Sequence, residues 1–564
     1  MEPLGTQRRA NLLALSAGVL VFLVAWSPRS LALNRFVTPD EPAWLGRSAA
    51  FYYALVQRDF LATFQHSHPG VTATWAGALA FRWRYPALAS EGDAKTMKNW
   101  QKVDIFLRQR GQNPLELLAT ARFFMALGSA VALGAATFFA ARLFGFWPAL
   151  LGFLFIALDP FHLGLSRLLH LDGLVSSLMA LSALAFLAYM LAGRRAFDLL
   201  VAGFAAGLAW LTKTPALFLL PFFGLVALVD LTYRCKTAGP RQLASLWAVS
   251  WPVLIAALVA GLVFLIAFPA MWVDPVGTLS QMFTQAFSYA EEGHTSAIFF
   301  NGQVYTGDPG WNFYPLSYLW RSTPAALAGI GLALAAFTWR WKPLDQPSSR
   351  RATLLLGLYA LFFGLAMSLG AKKFDRYLLP AFLPLDLLAG VGWVGLGWRL
   401  WQIARSLLIR PLAILLLAMA LFSQAFLAYQ TYPYYLSYYN PVLGGSQQAA
   451  QVMMIGWGEG LDQAGRYLDA RPGAEKLRAM SHYPYGSFSY FFRGEALELP
   501  ERWEGLQSPE LDGVDYLVLY IHQWQRQLPD PQMLAFFASQ EPEYIVRFDG
   551  FEYARVYNLG TLVP

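Results

Sequence analysis

The sequence predicts a mainly α-helical protein that crosses a membrane many times and carries a small α/β region after its last crossing. Two observations predict this class. Apolar residues make up 56% of the 564 residues and charged residues only 14%, whereas charged residues are about a quarter of a soluble domain. The apolar residues also form unbroken runs that approach the roughly 20 residues needed to cross a bilayer as a helix. The sequence therefore indicates an integral membrane protein rather than a large soluble core.

Eleven apolar runs of near-span length follow one another along the chain. They cover residues 11–27, 115–141, 147–164, 171–193, 197–213, 215–233, 246–270, 322–339, 353–370, 377–397 and 409–428. Arg8 and Arg9 precede the first run, as in a signal peptide, but the run is long for a signal core and no clear small-residue cleavage site follows it. We therefore interpret the first run as an uncleaved anchor and predict about eleven transmembrane helices.

The charges of the predicted loops indicate an orientation, because cytoplasmic loops keep an excess of Lys and Arg. If the N-terminus is cytoplasmic, the predicted inner loops contain basic residues such as Arg142, Arg194 and Arg234. The outer loop 273–320 contains neither Lys nor Arg. The formal charge of +7 is thus accounted for by short loops and does not indicate a nucleic-acid partner. We expect a plasma-membrane protein with its C-terminal region outside the cell.

Composition along the chain divides it into three predicted parts. They are a membrane domain (1–428, with long outer loops 28–114 and 273–320), an aromatic interfacial linker (429–450) and an extracytoplasmic α/β domain (451–564). Both long loops contain amphipathic stretches, which we expect to lie along the membrane surface. Six tyrosines within eleven residues are typical of a chain crossing the headgroup layer. In the last part, "DYLVLYIHQWQ" predicts a strand and "EYIVRFDGFEYARVYN" a hairpin that turns at Asp549-Gly550.

Acidic and basic residues collect at the predicted outer ends of the spans, in loops far apart in sequence. They are Asp40 and Glu41 ("PDEP") after the first span, Arg167, His170 and Asp172 ("SRLLHLDG") between the third and fourth, Lys213 ("LTKTP") between the fifth and sixth, and Lys372, Lys373 and Arg376 ("KKFDRYLLP") before the tenth. Charges beside hydrocarbon are costly and usually face a cavity, where they pair with one another or with a ligand. This boundary is therefore the candidate site.

The acid pair also has a structural interpretation. The stretch Thr38-Pro39-Asp40-Glu41 fits a capping box at the start of a helix. However, a residue that precedes proline is disfavoured in helical geometry, and Glu41 precedes Pro42. We therefore expect the helix to begin at Pro42, with both carboxylates just before it. A structural and a functional role both stay open at this point.

Structural alternatives also stay open for the other charged residues. Lys372 or Lys373 would be accommodated among lipid headgroups, and Arg167 and Asp172 would be satisfied by forming an ion pair with each other. Lys213 stands alone between two apolar runs and needs an acidic partner.

Metal binding is indicated only weakly. In "HSHPG", His66 and His68 are of a ligand type, but no third ligand lies close to them in sequence. The single cysteine, Cys235, excludes a disulfide within the chain, and no Cys/His cluster indicates a zinc site. A divalent cation stays open, and no other cofactor is predicted.

Taken together, these motifs resemble the GT-C glycosyltransferases of the protein O-mannosyltransferase and aminoarabinose-transferase type, over about residues 30–400. The matching positions are the acid pair Asp40-Glu41, His68-Pro69 for a His-Pro-Pro or Lys-Pro-Pro motif, the second acid Asp172, the basic Lys213, and "KKFDRYLLP". The chain departs from the family in two ways. Gly70 replaces the second proline, and the loop 273–320 is too short for the β-trefoil insert of eukaryotic members.

The resemblance implies a mannosyltransferase-like enzyme that transfers a hexose or pentose from a polyprenyl-phosphate donor in the bilayer. It implies a single inverting displacement with Asp40 as general base. The implied roles are catalytic for Asp40, Glu41 and Asp172, donor-phosphate binding for Lys213, Lys372, Lys373 and Arg376, and substrate binding for His68, Arg167 and His170. The acceptor hydroxyl belongs to a protein, a lipid or a glycan, and the sequence does not distinguish these.

Three other classes stay open. A lipid-linked-glycan ligase or polymerase shares the donor and the outer site, but it typically relies on Arg and His rather than on an acid pair. A non-catalytic protein would bind a lipid-linked sugar without turnover. A transporter is disfavoured because its charges would lie near the bilayer midplane, in two repeated halves, and no internal repeat is visible here.

Overall fold

The computed structural model describes residues 4–99, 102–238, 242–291, 293, 296–403 and 409–562. Helices dominate the chain as far as residue 430, because a segment within a bilayer can satisfy its backbone groups internally by forming a helix. In chain order these helices are α1 (Leu4–Ser30), α2 (Glu41–Val56), α3 (Val71–Arg84), α4 (Val103–Gln109), α5 (Pro114–Phe144), α6 (Phe146–Leu158), α7 (Pro160–Leu165), α8 (Asp172–Leu191), α9 (Ala196–Thr212), α10 (Leu219–Ala238), α11 (Gln242–Ala267), α12 (Ala270–Val273), α13 (Pro275–Glu291), α14 (Phe313–Arg321), α15 (Pro324–Trp339), α16 (Pro347–Ser368), α17 (Leu379–Ile403) and α18 (Ile409–Gln430).

The predicted polytopic membrane class is confirmed. Among the described residues, eight helices are long and apolar enough to cross a membrane. A ninth crossing results if α14 and α15, which meet at a bend of 112°, form one broken span. The helices α6 and α9 are apolar but shorter than a span. Each predicted run is helical, although the run 147–164 is divided at Asp159 between α6 and α7. The predicted count of eleven crossings is not confirmed.

The segment between α1 and α5 folds back onto the protein. The helix α2 is buried along most of its length, including Trp44, Leu45 and Phe51, because α3 and the 3₁₀ segment 92–99 pack against it. Its amphipathic pattern predicted a helix on the membrane surface, whereas protein covers it on nearly every side. A short antiparallel pair, β1 (Ile298–Phe300) and β2 (Gln303–Tyr305), follows α13.

The C-terminal region is a small α/β fold. It consists of α19 (Gly445–Val452), α20 (Leu461–Asp469), β3 (Arg478–Ser481), β4 (Glu495–Leu497), β5 (Tyr516–Tyr520), α21 (Ile521–Arg526), α22 (Pro531–Ala538), β6 (Tyr544–Phe548) and β7 (Phe551–Asn558). The sheet order is β4-β3-β5-β7-β6. The strand β3 runs parallel to both β4 and β5, whereas β7 is antiparallel to both β5 and β6.

Two local predictions for this region have different outcomes. The hairpin is confirmed, because β6 and β7 pair around Asp549 and Gly550, which have positive φ angles of 50° and 75°. The strand predicted from residue 515 ends earlier than expected, at Tyr520. There Gln523 accepts a hydrogen bond from the Tyr520 backbone N–H, and this capping box begins α21.

The tyrosine-rich segment after α18 packs mainly against protein. Tyr434, Tyr435, Tyr438 and Tyr439 are buried, whereas Tyr429 and Tyr432 are exposed. Burial is favoured because the Arg321 guanidinium donates to two backbone carbonyls of this segment, at 2.8 Å each, and to the Tyr439 hydroxyl at 3.0 Å. A headgroup location therefore fits only the two exposed tyrosines.

The C-terminal region contacts the segment that precedes α2 directly. A Cβ on Gly486 would lie 2.1 Å from Pro42, and one on Gly458 would lie 2.5 Å from the Val37 carbonyl oxygen. Both glycines have positive φ angles, which glycine adopts at little cost. One hydrophobic cluster joins the two regions, and the boundary at residue 450 stays a prediction.

Candidate active site

Asp40 is the last residue before α2, at the N-terminal end of the helix dipole. Its Oδ2 atom lies 3.4 Å from His170 Nε2 and 3.7 Å from Arg376 Nη2. Burial by the surrounding protein tends to raise the pKa of Asp40, but the hydrogen bond with His170 and the charge of Arg376 outweigh it and hold the pKa at about 2. The side chain nevertheless stays 42% exposed. Asp40 is therefore an ionised carboxylate that a ligand can reach.

Glu41 is fully buried and is held from several sides. Arg122 on α5 donates to both of its oxygens, at 2.7 and 2.5 Å. The Leu169 backbone N–H donates at 2.9 Å, and the backbone and hydroxyl of Thr38 donate at 3.0 Å each. Burial tends to raise the pKa of Glu41, but the charge of Arg122 outweighs it and the pKa is lowered.

The Thr38 N–H donates to Glu41 as it would in the predicted capping box, but the N-cap of α2 is Asp40 and its side chain forms no cap hydrogen bond. The helix α2 also begins at Glu41, one residue earlier than predicted from Pro42. Proline is tolerated in a first helical turn because its missing N–H has no partner there. The two adjacent acids thus differ, since Asp40 is accessible and Glu41 anchors the segment that carries it.

Asp172 begins α8 and joins the basic residues of the site. Its Oδ1 atom lies 2.5 Å from Lys213 Nζ. Its Oδ2 atom lies 3.4 Å from both Arg376 Nε and His170 Nδ1. Lys213 thus has the acidic partner that its isolated position in the sequence required. Because His170 and Arg376 each contact both carboxylates, Asp40 and Asp172 belong to one charged cluster.

A cavity of about 620 Å³, here called the helix-side cavity, opens beside this cluster. One part of its wall is apolar and comes from the helix bundle, with Val175, Met179, Phe218, Phe363 and Met367. The charged residues of its wall are Arg47, Lys213, Lys372, Arg376, Asp40 and Asp172. Lys and Arg side chains thus outnumber carboxylates in this wall, four to two. This combination suits an amphiphilic ligand with an anionic head.

A second cavity of about 510 Å³, here called the sheet-side cavity, extends toward the C-terminal region. Asp40 and Arg376 line both cavities and therefore lie where the two meet. Trp457 lines the sheet-side cavity, with its ring centroid 4.2 Å from the Arg376 guanidinium and 4.9 Å from the centroid of the His170 ring. The wall contributed by the sheet contains His482, Tyr483, His522 and Arg526.

His68 lines the helix-side cavity. It begins the motif in which Gly70 replaces the second proline of the family pattern. Burial lowers the pKa of His68 to about 3, and the charge of Lys213 adds to this effect, so the ring is neutral at pH 7. Gly70 has a φ of 58° and donates its backbone N–H to the Thr212 carbonyl at 3.2 Å. A proline could do neither, and a Cβ there would meet Trp44 at 2.2 Å. The local structure thus requires the observed glycine.

Not every predicted site residue reaches a cavity. Glu41 and Arg167 line neither of the two. Arg167 donates to the Leu31 carbonyl and lies 5.4 Å from the centroid of the Tyr435 ring. It does not pair with Asp172, whose partners are described above. Lys373 lines only the sheet-side cavity and forms an ion pair with Asp308, whereas Lys372 lines both cavities.

The contacts between His66 and His68 stabilise the loop that contains both residues. The His68 backbone N–H donates to His66 Nδ1 at 3.0 Å, and the two rings stack with centroids 5.6 Å apart. Within the described part of the chain, no group of three or more His, Cys, Asp or Glu side chains is placed to hold a metal ion. A divalent cation stays open.

Several cavity residues were not predicted from the sequence. Arg47 could have been found, because Asp40, Trp44 and Arg47 follow helical spacing from the start of α2 and all line the helix-side cavity. His482 and His522 follow two strands that sequence alone does not show to be parallel neighbours. Trp457 lies in an irregular segment and gave no periodic signal.

The fold and the site define an integral membrane protein with a charged, ligand-accessible cluster at one end of its helix bundle. Residues 117–282 match the family model described as dolichyl-phosphate-mannose-protein mannosyltransferase. This match agrees with the predicted resemblance to GT-C glycosyltransferases of the O-mannosyltransferase type. The matched segment includes Asp172 and Lys213 but not Asp40 or Arg376. A comparison with curated protein sequences found no match.

Solved structures with a similar fold include ArnT from Cupriavidus metallidurans bound to undecaprenyl phosphate, at 16% identity and a TM-score of 0.46, covering 96% of this chain and 97% of that one. The archaeal oligosaccharyltransferase AglB from Archaeoglobus fulgidus, in complex with an inhibitory peptide and a dolichol-phosphate, has 13% identity and a TM-score of 0.46, covering 96% and 74%. The S. cerevisiae Pmt1-Pmt2 complex bound to the sugar donor has 17% identity and a TM-score of 0.34, covering 50% and 35%. At these values, activity has to be inferred from this chain's own residues.

Proposed function

We propose that this protein is a membrane glycosyltransferase that moves a sugar from a polyprenyl-phosphate donor to an acceptor hydroxyl. The observation that carries the proposal is the position of Asp40, an accessible carboxylate at the junction of two cavities. On one side of it lies a wall with an apolar part and a cationic part. A general base beside such a wall suits a reaction in which an anionic lipid is the leaving group.

The helix-side cavity is the proposed donor site. The prenyl chain would pack against the apolar wall, and the phosphate would lie near Lys213, Lys372, Arg376 and Arg47. A phosphate monoester carries about −1.5 to −2 charges at neutral pH, which suits a wall that contains four Lys and Arg side chains. Because Lys213 and Arg376 are largely enclosed, their stabilisation of the departing phosphate would be only weakly screened by water.

The proposed reaction is a single displacement. The acceptor oxygen attacks the anomeric carbon, and a new carbon–oxygen bond forms while the bond from that carbon to the phosphate oxygen breaks. The electron pair of the broken bond leaves with the polyprenyl phosphate, and the hydroxyl proton passes to Asp40. Attack on the face opposite the leaving group inverts the anomeric configuration. No covalent intermediate on the protein is needed.

The other two acids receive positioning roles in this proposal. Asp172 forms ion pairs with Lys213 and Arg376. Its contact with His170, which also contacts Asp40, links the two carboxylates. Glu41 fixes the segment before α2 by its contacts with Arg122 and does not reach a cavity. Of these three acids, Asp40 combines an accessible side chain with a place at the junction of the two cavities, and we assign the proton to it.

The low pKa of Asp40 has a consequence for this mechanism. A carboxylate with a pKa of about 2 is a weak base while Arg376 stays close to it. When Arg376 engages the donor phosphate, its charge is shared with that group, and the pKa of Asp40 rises toward the ordinary value for Asp. Donor binding would thus strengthen the base, and proton transfer would follow once attack has begun.

The proposed orientation has the N-terminus in the cytoplasm and the site on the outer face of the membrane. It is supported by the basic residues of the predicted inner loops, such as Arg142 and Arg194, which lie at the helix ends opposite the site. The sugar, including whether it is mannose, another hexose or a pentose, and the acceptor are left to experiment.

The decisive experiment measures release of polyprenyl phosphate by the purified full chain from a panel of polyprenyl-phosphate sugars, with native membrane extract as acceptor source. We expect release from at least one donor and a rate at least about 100-fold lower for Asp40→Asn. The control is Glu116→Gln, an exposed acid on α5, which should keep the wild-type rate. Both variants should retain the wild-type melting temperature.

Each outcome has a distinct meaning. Normal turnover by Asp40→Asn would overturn the base assignment. Binding of a donor without release by the wild type would indicate a non-catalytic protein that binds lipid-linked sugar. If no polyprenyl-phosphate sugar bound at all, the lipid-phosphate donor would be excluded.

A further inference from the structure

The sheet-side cavity contains a polar cluster that the proposed reaction does not use. Its members come from the carboxyl ends of two neighbouring parallel strands. His482 directly follows β3, His522 lies two residues beyond the end of β5, and Ser481 is paired with Val518 between these strands. In open α/β sheets, ligands bind in the crevice beyond the carboxyl ends of such strands. The placement of the cluster is therefore that of a ligand site.

The hydrogen bonds of the cluster determine which of its atoms are donors. The Arg526 guanidinium contains only N–H donors, so in its hydrogen bond with Tyr483 the tyrosine oxygen is the acceptor. The Tyr483 hydroxyl lies 2.8 Å from His522 Nδ1, and we assign the hydroxyl as the donor because its oxygen already accepts from Arg526. Burial lowers the pKa of His522 well below its usual range, so the ring is neutral and carries its one proton on Nε2. His522 Nε2 is thus a donor.

Among the described residues, two of these donors are buried in the wall without a well-aligned hydrogen-bond partner. They are Arg526 Nε, on a side chain 9% exposed, and His522 Nε2, on one only 1% exposed whose ring also contacts the Gly456 backbone. Leaving a buried donor unsatisfied costs about 1–3 kcal/mol, and more for a charged group. A ligand that removes this cost must present oxygen acceptors to both atoms.

The ligand must also balance a charge. Within the described part of the chain, Arg526 bonds to Tyr483 and forms no ion pair with a carboxylate. Glu459 lines the same cavity but forms no ion pair with Arg526 among the described residues. Its Oε2 atom accepts from the Trp457 backbone and the Tyr520 hydroxyl, its Oε1 atom has no hydrogen-bond partner there, and burial raises its pKa. A buried guanidinium without an anion is costly, and its planar fork fits a carboxylate or a phosphate.

We propose that the sheet-side cavity binds the acceptor, and that Arg526 and His522 hold an oxyanion of the acceptor while one of its hydroxyls reaches Asp40. The acceptor is thus a hydroxyl compound that carries a carboxylate or a phosphate. This inference rests on the proposed function, because it assigns the acceptor class of the same site. One continuous cavity links Arg526 to Asp40. Tyr483 is a positioning residue, since it sets the orientation of His522.

The test uses the purified full chain and four probes: sn-glycerol 3-phosphate, D-glucuronate and their neutral counterparts glycerol and glucose. Binding is measured by equilibrium dialysis. We expect at least one anionic probe to bind, the neutral counterparts not to bind, and Arg526→Gln to weaken the binding by about tenfold or more. The matched control is Arg547→Gln, which removes an arginine on the far strand β6 that is paired with Glu552.

A second variant guards against misfolding of the first. His522→Ala removes only the neutral donor and should also weaken the anionic probe by about tenfold. Unchanged binding in both variants, equal binding of the neutral probes, or failure of both anionic probes to bind the wild type would overturn the proposal. Polyprenyl-phosphate binding should be unchanged in Arg526→Gln, since the donor occupies the other cavity. If the anionic probes bind as expected but no donor is turned over, the acceptor role and the proposed function fail together, while the oxyanion site stands.

Discussion

The two ends of the helix bundle contain charge clusters of the same formal composition. At the end that bears the C-terminal region, four cations and two carboxylates line the helix-side cavity. At the opposite end, the ion pairs also contain four cations and two carboxylates, namely Arg142 with Asp198, and Arg194, Arg234 and Arg351 with Asp230. The composition of these two clusters does not distinguish them.

The exposure and the surroundings of the cations do distinguish the two ends. At the opposite end, Arg194, Arg234 and Arg351 are 23–35% exposed and face the surroundings of the protein. At the site, the side chains of Lys213 and Arg376 are only 9% and 12% exposed and face a cavity. Cations that face outward can meet water and headgroups, whereas cations that line an enclosed cavity can meet a ligand there. Enclosure therefore marks the functional end.

The largest effect on stability is expected at the opposite end. Replacing Arg142 by Gln leaves Asp198 buried without its ion-pair partner, which typically costs about 3–5 kcal/mol. We expect a lower melting temperature but an unchanged turnover rate for the folded fraction. Thermal unfolding monitored by fluorescence, together with the release assay, would measure both. A loss of turnover at full stability would break the proposed division between the two ends.

The largest effect on turnover should come from Arg376→Gln. This change removes a cation from the junction of the two cavities, where charge develops on the departing phosphate. Loss of one such preorganised group typically lowers the rate about 10²–10³-fold. Single-turnover release of polyprenyl phosphate at saturating donor would show it. Rates within a factor of about three of wild type would mean that Arg376 does not stabilise the departing phosphate.

A smaller effect is expected for Trp457→Leu. The indole ring contacts both the Arg376 guanidinium and the His170 ring, and a cation–π contact of this kind is worth about 0.5–2 kcal/mol. We expect turnover to fall about tenfold, with donor binding preserved because Trp457 does not line the helix-side cavity. Trp503→Leu, in a separate hydrophobic cluster of the C-terminal region, is the matched control. Weakened donor binding in Trp457→Leu alone would mean that the two cavities do not act separately.

The smallest effect is expected from pH. Asp40 is active as a base only when ionised, and its folded-state pKa of about 2 lies below the ordinary value. Its contribution is therefore present at neutral pH and is lost only as the pH falls toward about 2. We expect kcat/KM to show no acidic limb from Asp40 between about pH 8 and about pH 5. In Arg376→Gln, where the neighbouring cation is missing, the acidic limb should move to higher pH.

Much of the candidate site could be predicted from residue types at the ends of apolar runs. The prediction that Lys213 needs an acidic partner required only its isolation between two such runs. The identity of that partner, Asp172, depends on how the start of α8 meets the end of α9. The same limit applied to Arg167, for which an ion pair with Asp172 was one open alternative. The Leu31 carbonyl and the Tyr435 ring lie beside it instead.

The sequence by itself determined the membrane class, the helices and the Asp549-Gly550 hairpin, because run length, hydropathy and turn chemistry are properties of neighbouring residues. Only the tertiary structure decided which of two adjacent carboxylates is accessible. Glu41 is buried by Arg122, 81 residues away in the chain, and Asp40 is reached through cavities that helices and sheet form together. Such contacts depend on how distant segments pack, and periodicity along one segment carries no information about its distant partners.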